Sequence, residues 1–564
     1  MISRRDFFTA AAAAALLSNS GVGGLAALAK AQKLTQESLL RFDPLGTVTL
    51  LHFSDLHAQL MPIYFREPST NFGVGADRGL PPHLTEQAFL DYFKITTGTA
   101  EAYALSAEDF VALARTYGRM GGMDRMATLV KAIRATRGEG NVLLLDGGDA
   151  TQGSWSSLQT KGEDMVRAVS QLGIDAMTGH WEFTYGAARV MEIVKNAPFA
   201  FLAQNVRTID WQEPVFAGRK IFEKGGSKIA VIGQALPMTP IANPRWMIPN
   251  WEFGIREESM QKQVNDARAE GADVVVVLSH NGFDVDRKMA GRVKGIDVLL
   301  TAHTHDAMPA PVKVGNTLLI ASGSHCKFLS RLDLEVKDKK VTGYRYALIP
   351  VFADAITPDP EMAKLVDEVR KPFVGELNRH IGDADTLLFR RGNFDGTLDD
   401  MICQAMIAER DVEIALSPGF RWGASLLPGD PITFESIANA TAITYPNCYR
   451  QTMTGTQIKG MLEDVADNIF NPDPYFQSGG DMVRTGGLGY EIDISKPVGS
   501  RITNMTHLKT GNPIEASKGY TVSGWASVKQ GTEGPPIWEV VEKHVKRLGA
   551  VRIEPTNAVK VTGT

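Results

Sequence analysis

Cysteine is nearly absent: Cys326, Cys403 and Cys448 are the only three in 564 residues. An odd count at such wide spacing excludes a disulfide framework. Three buried thiols are the simplest reading, with at most one pair able to bridge. Excess positive charge is missing too. The formal net charge is -5, and no basic stripe marks a nucleic-acid binder. The Ala-rich run near the N-terminus is too short and too weakly apolar to span a membrane. Beyond it, neither internal repeats nor low-complexity tracts stand out. What remains is globular composition, 44% hydrophobic and 22% charged. The length suits two or three domains, each with its own core.

The first residues carry a processing signal. "SRRDFFTAAAAAALL" pairs Arg4 and Arg5 ahead of Phe7, Phe8 and the Ala-rich run. This reads as a twin-arginine export signal over 1–31, with a small-x-small cleavage motif at Ala29-Lys30-Ala31. A periplasmic location follows. Such export carries folded proteins, which points to metal loading before export.

From 47 to 335, short apolar runs alternate with amphipathic helical stretches. "TVTLLHFSD", "NVLLLDGGD", "KIAVIGQAL", "DVVVVLSHN", "DVLLTAHTH" and "TLLIASGSH" each end in a polar or Gly-rich turn. Segments such as "GGMDRMATLVKAIRATRG" and "EESMQKQVNDARAEGA" lie between them. This is the rhythm of an α/β domain, whose functional groups gather at strand C-terminal ends. Residues 61–117 interrupt it, as either an insertion packed near the site or a surface loop. The boundaries expected are a catalytic domain over 32–356, a helical linker over 357–383 and a second α/β domain over 384–564. The stretch 357–382 reads as one long amphipathic helix.

Potential metal ligands fall at the strand ends. They are Asp55 and His57 in "SDLHA", Asp149 in "GGDATQGS", His180 in "GHWEF", His280 in "LSHNG", and His303 with His305 in "TAHTHD", with Asn205 nearby in "LAQNV". Five of the eleven histidines sit in such turns, which is more than scattered structural histidines would give. Alternation along a strand puts both members of Asp-x-His on one side, a spacing that suits chelation. Imidazole with carboxylate favours Mn, Fe, Zn or Co over Ca or Mg. Asp149 is the natural bridge between two ions, which acidify a water and clamp the oxygens of a tetrahedral oxyanion. Gln152, Ser154 and Trp155 are candidates to orient ligands, and His325 is a candidate neighbour of the site. His52, His83, His380, His507 and His544 read as structural.

This set resembles the 5'-nucleotidase branch of the calcineurin-like metallophosphoesterases over most of the mature chain. The resemblance implies an N-terminal β-sandwich flanked by helices, a helical connector and a smaller C-terminal α/β domain. It implies one ion held by Asp55, His57, Asp149 and His305, and another by Asp149, His180, His280 and His303. "LSPGFRWGASLLPGDPITFESI" resembles the family's Gly-Gly-Ile-Arg segment, making Arg421 the expected anion contact. The Gly-rich, aromatic stretch 471–493 is expected to help form a substrate channel.

The departures are informative. Where nucleotidases carry Gly-Asn-His-Glu-Phe-Asp, this chain reads "GHWEFTYG": His180 for the Asn ligand, Trp181 for the catalytic His, Thr184 for its Asp partner. The late Gly-Gly-Asp-Gly-Tyr segment is replaced by "KQGTEGPPIWEV". These features are similar to the sulfate-releasing hydrolases of the Sox sulfur-oxidation system. That likeness implies two manganese ions, with zinc, iron or cobalt as alternatives. It implies a SoxYZ-like carrier protein bearing a cysteine S-thiosulfonate, attacked by hydroxide at the terminal sulfonate sulfur. Asp149, Trp181 and Arg421 are then the residues expected to shape the reaction. The alternatives are a periplasmic 5'-nucleotidase or phosphodiesterase, and a non-catalytic metal-binding protein.

Overall fold

The computed structural model describes residues 34–394, 396–556 and 558–564. The export signal read over 1–31 lies outside them. The N-terminal domain is built on two six-stranded sheets. In the first, Val48–Phe53 pairs in parallel with Val142–Asp146 and antiparallel with Phe328–Lys337. In the second, Ser227–Gln234, Val274–Ser279, Val298–Thr301 and Thr317–Ala321 run parallel. Side chains alternate across each strand, and both faces of these strands are covered. Val48, Leu50, Leu143 and Leu145 point into the sandwich and meet Val231, Val276, Leu278 and Leu300 of the second sheet. Their neighbours Leu51, Phe53 and Leu144 point outward onto Met126, Leu129, Val130 and Ile133 of the helix Met123–Arg137. The opposite face is closed by Met260, Val264 and Ala267 of Glu257–Ala269. Continuous apolar runs with no polar face require these two outer helical layers.

Residues 61–117 fold as more than a loop. They include the helices Glu86–Phe93, Ala100–Leu105 and Phe110–Tyr117. Phe89, Leu90, Tyr103, Phe110 and Leu113 form a core with Phe328 and Phe352 of the catalytic domain. The segment also reaches the site: the Phe65 ring stacks on His325 at 3.9 Å between centroids.

The long helix read over 357–382 is broken. Pro360–Arg370 is helical, Val374–Leu377 makes one further turn, and His380–Ala384 is a strand of the second domain. Pro372 is the cause, because it has no N–H to donate and its ring crowds the preceding turn. His380–Ala384 pairs with Pro431–Thr433 and Ala550–Val551. The C-terminal domain continues with a four-stranded sheet centred on Ile414–Gly419 and Gly519–Gly524. The helices Thr397–Arg410, Phe434–Thr441, Gly455–Phe470 and Ile537–Leu548 complete it. Among the described residues, no helix is long and apolar enough to cross a membrane.

Candidate metal centre

The parallel strands deliver their ends to one place. Phe53 is level with Asp146, and Thr301 with Ser279. The turns that follow carry the acidic and imidazole side chains. Asp55, His57, Asp149, His303 and His305 all sit at positive φ, between 45° and 76°. Such backbone costs about 1–3 kcal/mol per residue and clusters at functional sites. Gly148, at φ +96°, permits a close approach: a Cβ there would lie 3.1 Å from His280 Nδ1.

Seven buried residues converge in two groups that share one member. Asp149, His180, His280 and His303 form the first, and Asp55, His57, Asp149 and His305 the second; in each, the candidate ligand atoms lie within 4.8 Å of one another. Asp149 Oδ2 is 3.1 Å from His280 Nε2, 3.3 Å from His180 Nδ1 and 3.8 Å from His57 Nε2. His57 Nε2 faces His305 Nε2 at 2.9 Å, and His305 Nε2 is 3.4 Å from Asp55 Oδ1.

Two observations test whether this donor set suits cations. His180 Nε2 is buried with no hydrogen-bond partner among the described residues. The facing nitrogens of His57 and His305 are both acceptors when their protons sit on Nδ1, so a shared cation relieves the contact. Both features fit a pair of metal ions. Three of the outer nitrogens are already assigned: His57 Nδ1 faces Gln152 O at 3.2 Å, His280 Nδ1 faces Gly147 O at 2.7 Å, and His303 Nε2 faces Ser478 O at 2.7 Å. Each carbonyl accepts an N–H and so selects which nitrogen faces inward. Two divalent ions against the two carboxylates leave about two positive charges, a field suited to an anionic substrate.

Sequence reasoning missed two positioning groups. The Glu182 carboxylate accepts the backbone N–H groups of Ala150 and Thr151 on one oxygen, and of His180 and Asp149 on the other. It ties two ligand turns together. Arg391 donates to the His305 and Thr304 carbonyls. The sequence hint was an arginine pair, Arg390-Arg391, in an otherwise apolar stretch.

The remaining candidates fall as follows. Arg421 donates to the carbonyls of Thr304 at 3.2 Å and His303 at 2.5 Å. Its two terminal nitrogens therefore hold the ligand loop with one bond each, out of the five N–H donors of a guanidinium. Trp181 is 5% exposed, with its ring edge-on to Trp422 and Phe420 of the C-terminal domain at 5.3 and 5.6 Å. Its backbone N–H donates to Asp149 Oδ1 at 2.7 Å. Thr184 Oγ1 lies 2.6 Å from Thr444 Oγ1, across the domain boundary. Gln152 reaches the site through its carbonyl, while its side-chain amide donates to Ala442 O. Ser154 caps a helix, and Trp155 donates to Asn439 and Glu376. Among the described residues, neither side chain has a hydrogen bond or ring contact to a candidate ligand. Asn205 is drawn away, bonded to Ala235 and Gly254. His325 lies beside the centre, 5.4 and 5.7 Å from the His57 and His305 rings. His52, His83, His380 and His507 have partners of their own, Ser322, Asp284, Asp383 and Thr510, and His544 accepts from Arg547.

Residues 380–542 match the model of the 5'-nucleotidase C-terminal domain. The chain is 36% identical to the Thermus thermophilus sulfate thiohydrolase SoxB solved with glycerol. That likeness covers 93% of this chain and 98% of that one, with a TM-score of 0.89. The chain belongs to the 5'-nucleotidase family. It is an enzyme of that hydrolase family, with the family's two-domain α/β fold. A snake venom 5'-nucleotidase from Gloydius brevicauda is 26% identical over 71% of this chain and 74% of its own length. A 5'-nucleotidase precursor from Thermus thermophilus shares the fold, at 22% identity and a TM-score of 0.72 over 92% of this chain and 99% of its own.

The charges of this family centre are tightly balanced. Burial pulls His280 down, but Asp149 and Asp55 outweigh it and push the imidazole up to about 10. Burial pushes Asp55 up to about 7, against the pull of His280. Burial lowers His57 to about 4 and also lowers His180, His303 and His305. Without ions, His280 carries the proton that its ligand role must give up. Affinity for divalent ions is therefore expected to rise about tenfold per pH unit from about 7, where Asp55 is ionised, to about 10, with one proton released. Calorimetric titration in buffers of different ionisation heat measures the proton count. An affinity that does not change with pH would mean that His280 is already neutral.

Proposed function

We propose that this enzyme is a periplasmic dinuclear manganese hydrolase that releases sulfate from a cysteine S-thiosulfonate on a SoxYZ-like carrier protein. The observation that carries this reading is at residues 180–181. An imidazole, His180, enters the ligand group, and the next residue is a buried tryptophan packed against the aromatic side chains of the C-terminal domain. The likeness to a sulfate thiohydrolase supports it independently.

Two such ions, when bound, would supply an acidified water and polarise the oxygens of the group under attack. The chain supplies the rest. Asp149 and its imidazole neighbours would hold the ions, and Glu182, Arg391 and Arg421 hold the turns that carry them. Trp181, Trp422 and Phe420 close one side against water. The indole of Trp181 donates a hydrogen bond but accepts no proton, so this wall offers no acid–base partner.

The balance of the reaction explains why none is needed. An oxygen–sulfur bond forms at the terminal sulfonate sulfur, and the sulfur–sulfur bond breaks. The electron pair leaves on the carrier's persulfide, and the protons of the water go to solvent. A persulfide is a weaker base than an alkoxide, so it leaves without a proton donor. A nucleotide ester lacks that advantage, and positioned acids are worth about 10²–10⁴-fold.

The test is sulfate release from a thiosulfonate-loaded carrier, run beside AMP hydrolysis, with enzyme stripped of metal and reloaded with manganese. Metal-dependent sulfate release is expected, with AMP turnover slower by about 10² or more. Rapid AMP hydrolysis without sulfate would overturn the reading in favour of the nucleotidase activity named for its relatives.

A further inference from the structure

The C-terminal domain places its polar groups on one short loop of the catalytic domain. Residues 303–305 carry two candidate ligands, at φ +76° and +61°. Arg421 holds the carbonyls of His303 and Thr304, and Arg391 those of Thr304 and His305. Ser478 O accepts from His303 Nε2 at 2.7 Å. That bond puts the proton of His303 on Nε2 and leaves the Nδ1 lone pair for the ions. Its ring centroid lies 5.1 Å from that of His180 and 5.3 Å from that of His280.

We propose that Ser478-Gly479 is a positioning segment for His303, so that one of the two ions binds fully only when the C-terminal domain is seated on the catalytic domain. The proposal rests on reading this centre as a metal site. The segment is anchored from both sides. Asn468 O, in the helix Gly455–Phe470, accepts from the backbone N–H groups of Ser478 and Gly479 at 2.8 and 3.2 Å. Gln477 Nε2 donates to Asn471 O at 2.8 Å. A few residues earlier, Asp473 pairs with Lys288 at 2.5 Å and Tyr475 donates to Glu257 at 2.7 Å, both on the catalytic domain. The carbonyl that orients His303 therefore moves with the domain boundary. Coupling of this kind is reciprocal: the ion that His303 helps to hold also favours the seated arrangement.

Two adjacent glycines provide an internal control. Gly479 and Gly480 have φ of +72° and +96°, so alanine strains the backbone at either. A Cβ on Gly479 would lie 2.8 Å from His303 Nε2, whereas one on Gly480 meets nothing within 4 Å. The experiment is manganese titration of the full chain by calorimetry, with metal content measured after desalting. Wild type and Gly480→Ala are expected to hold two ions. Gly479→Ala is expected to keep one ion normally and to bind the other about 10–100-fold more weakly, as for lost partners of metal-bound histidines. Gln477→Ala loosens the same segment from outside and is expected to weaken the same ion. It decides the question if Gly479→Ala does not fold. Two ions at wild-type affinity in Gly479→Ala and Gln477→Ala would overturn the proposal. So would equal losses in Gly479→Ala and Gly480→Ala, which would mark simple loop strain. Fewer than two ions in the wild type would overturn the metal reading itself.

Discussion

Asp149→Asn is expected to leave the centre with at most one manganese ion and to lower turnover by about 10³-fold or more. Asp149 is the member common to both ligand groups. Its Oδ1 is committed to the Trp181 N–H at 2.7 Å, and its Oδ2 looks toward His57, His180 and His280. An asparagine satisfies the first contact with its carbonyl and then turns its NH₂ group toward the ions. The substitution removes one of the two carboxylates and adds a donor where an acceptor is required. A metal ion contributes several kcal/mol of charge stabilisation, and each 1.36 kcal/mol is tenfold in rate, which sets the scale. Metal content after desalting and the rate of sulfate release check both halves. A variant with two ions and more than about a tenth of the activity would show that Asp149 does not bridge.

Glu182→Gln is expected to destabilise the metal-free protein by about 3 kcal/mol or more. Glu182 is 1% exposed, and both of its oxygens accept buried backbone N–H groups. An amide keeps one acceptor and turns its NH₂ group on the donors facing the other. Hydrogen bonds to a charged group are each worth about 1.5–3 kcal/mol, and a buried N–H left unpaired costs about 1–3. The variant should also bind metal less tightly, because Glu182 fixes the turns of Asp149 and His180. The midpoint of denaturant unfolding, measured in chelator, checks the first effect. An unchanged midpoint would mean that water takes over the carboxylate's bonds.

Much of this centre was legible because it is local. Each ligand stands within a few residues of an apolar strand, so strand-end turns and residue type were enough to collect Asp55, His57, Asp149, His180, His280, His303 and His305. Asn205 follows the same pattern and yet is bonded elsewhere, since position after a strand does not say where an amide turns. The roles of Arg391, marked only by its pairing with Arg390, and of Ser478 were hidden for a different reason. Each acts through a backbone carbonyl, across 86 and 175 residues, and backbone acceptors leave no mark in the side-chain sequence. Glu182 stands in a quoted motif, but its partners are peptide N–H groups, which every residue there offers. The break in the linker was legible in Pro372, which the amphipathic pattern around it concealed. The helices within 61–117 were obscured by the polar, Gly- and Pro-rich stretch that precedes them.

Lys327 ties the length of this chain to its composition. Its side chain is 1% exposed and donates to Glu67 at 2.5 Å, and to the carbonyls of Phe65 and Ala104. All three acceptors belong to the segment 61–117, whereas the lysine belongs to the catalytic domain. Deleting the segment would remove all three acceptors, and for an ammonium that stays buried the loss is on the scale of a broken buried ion pair, about 3–5 kcal/mol. A shortened descendant would have to replace residue 327, or give it new acceptors, in the same step. The segment and that single position are therefore coupled in stability.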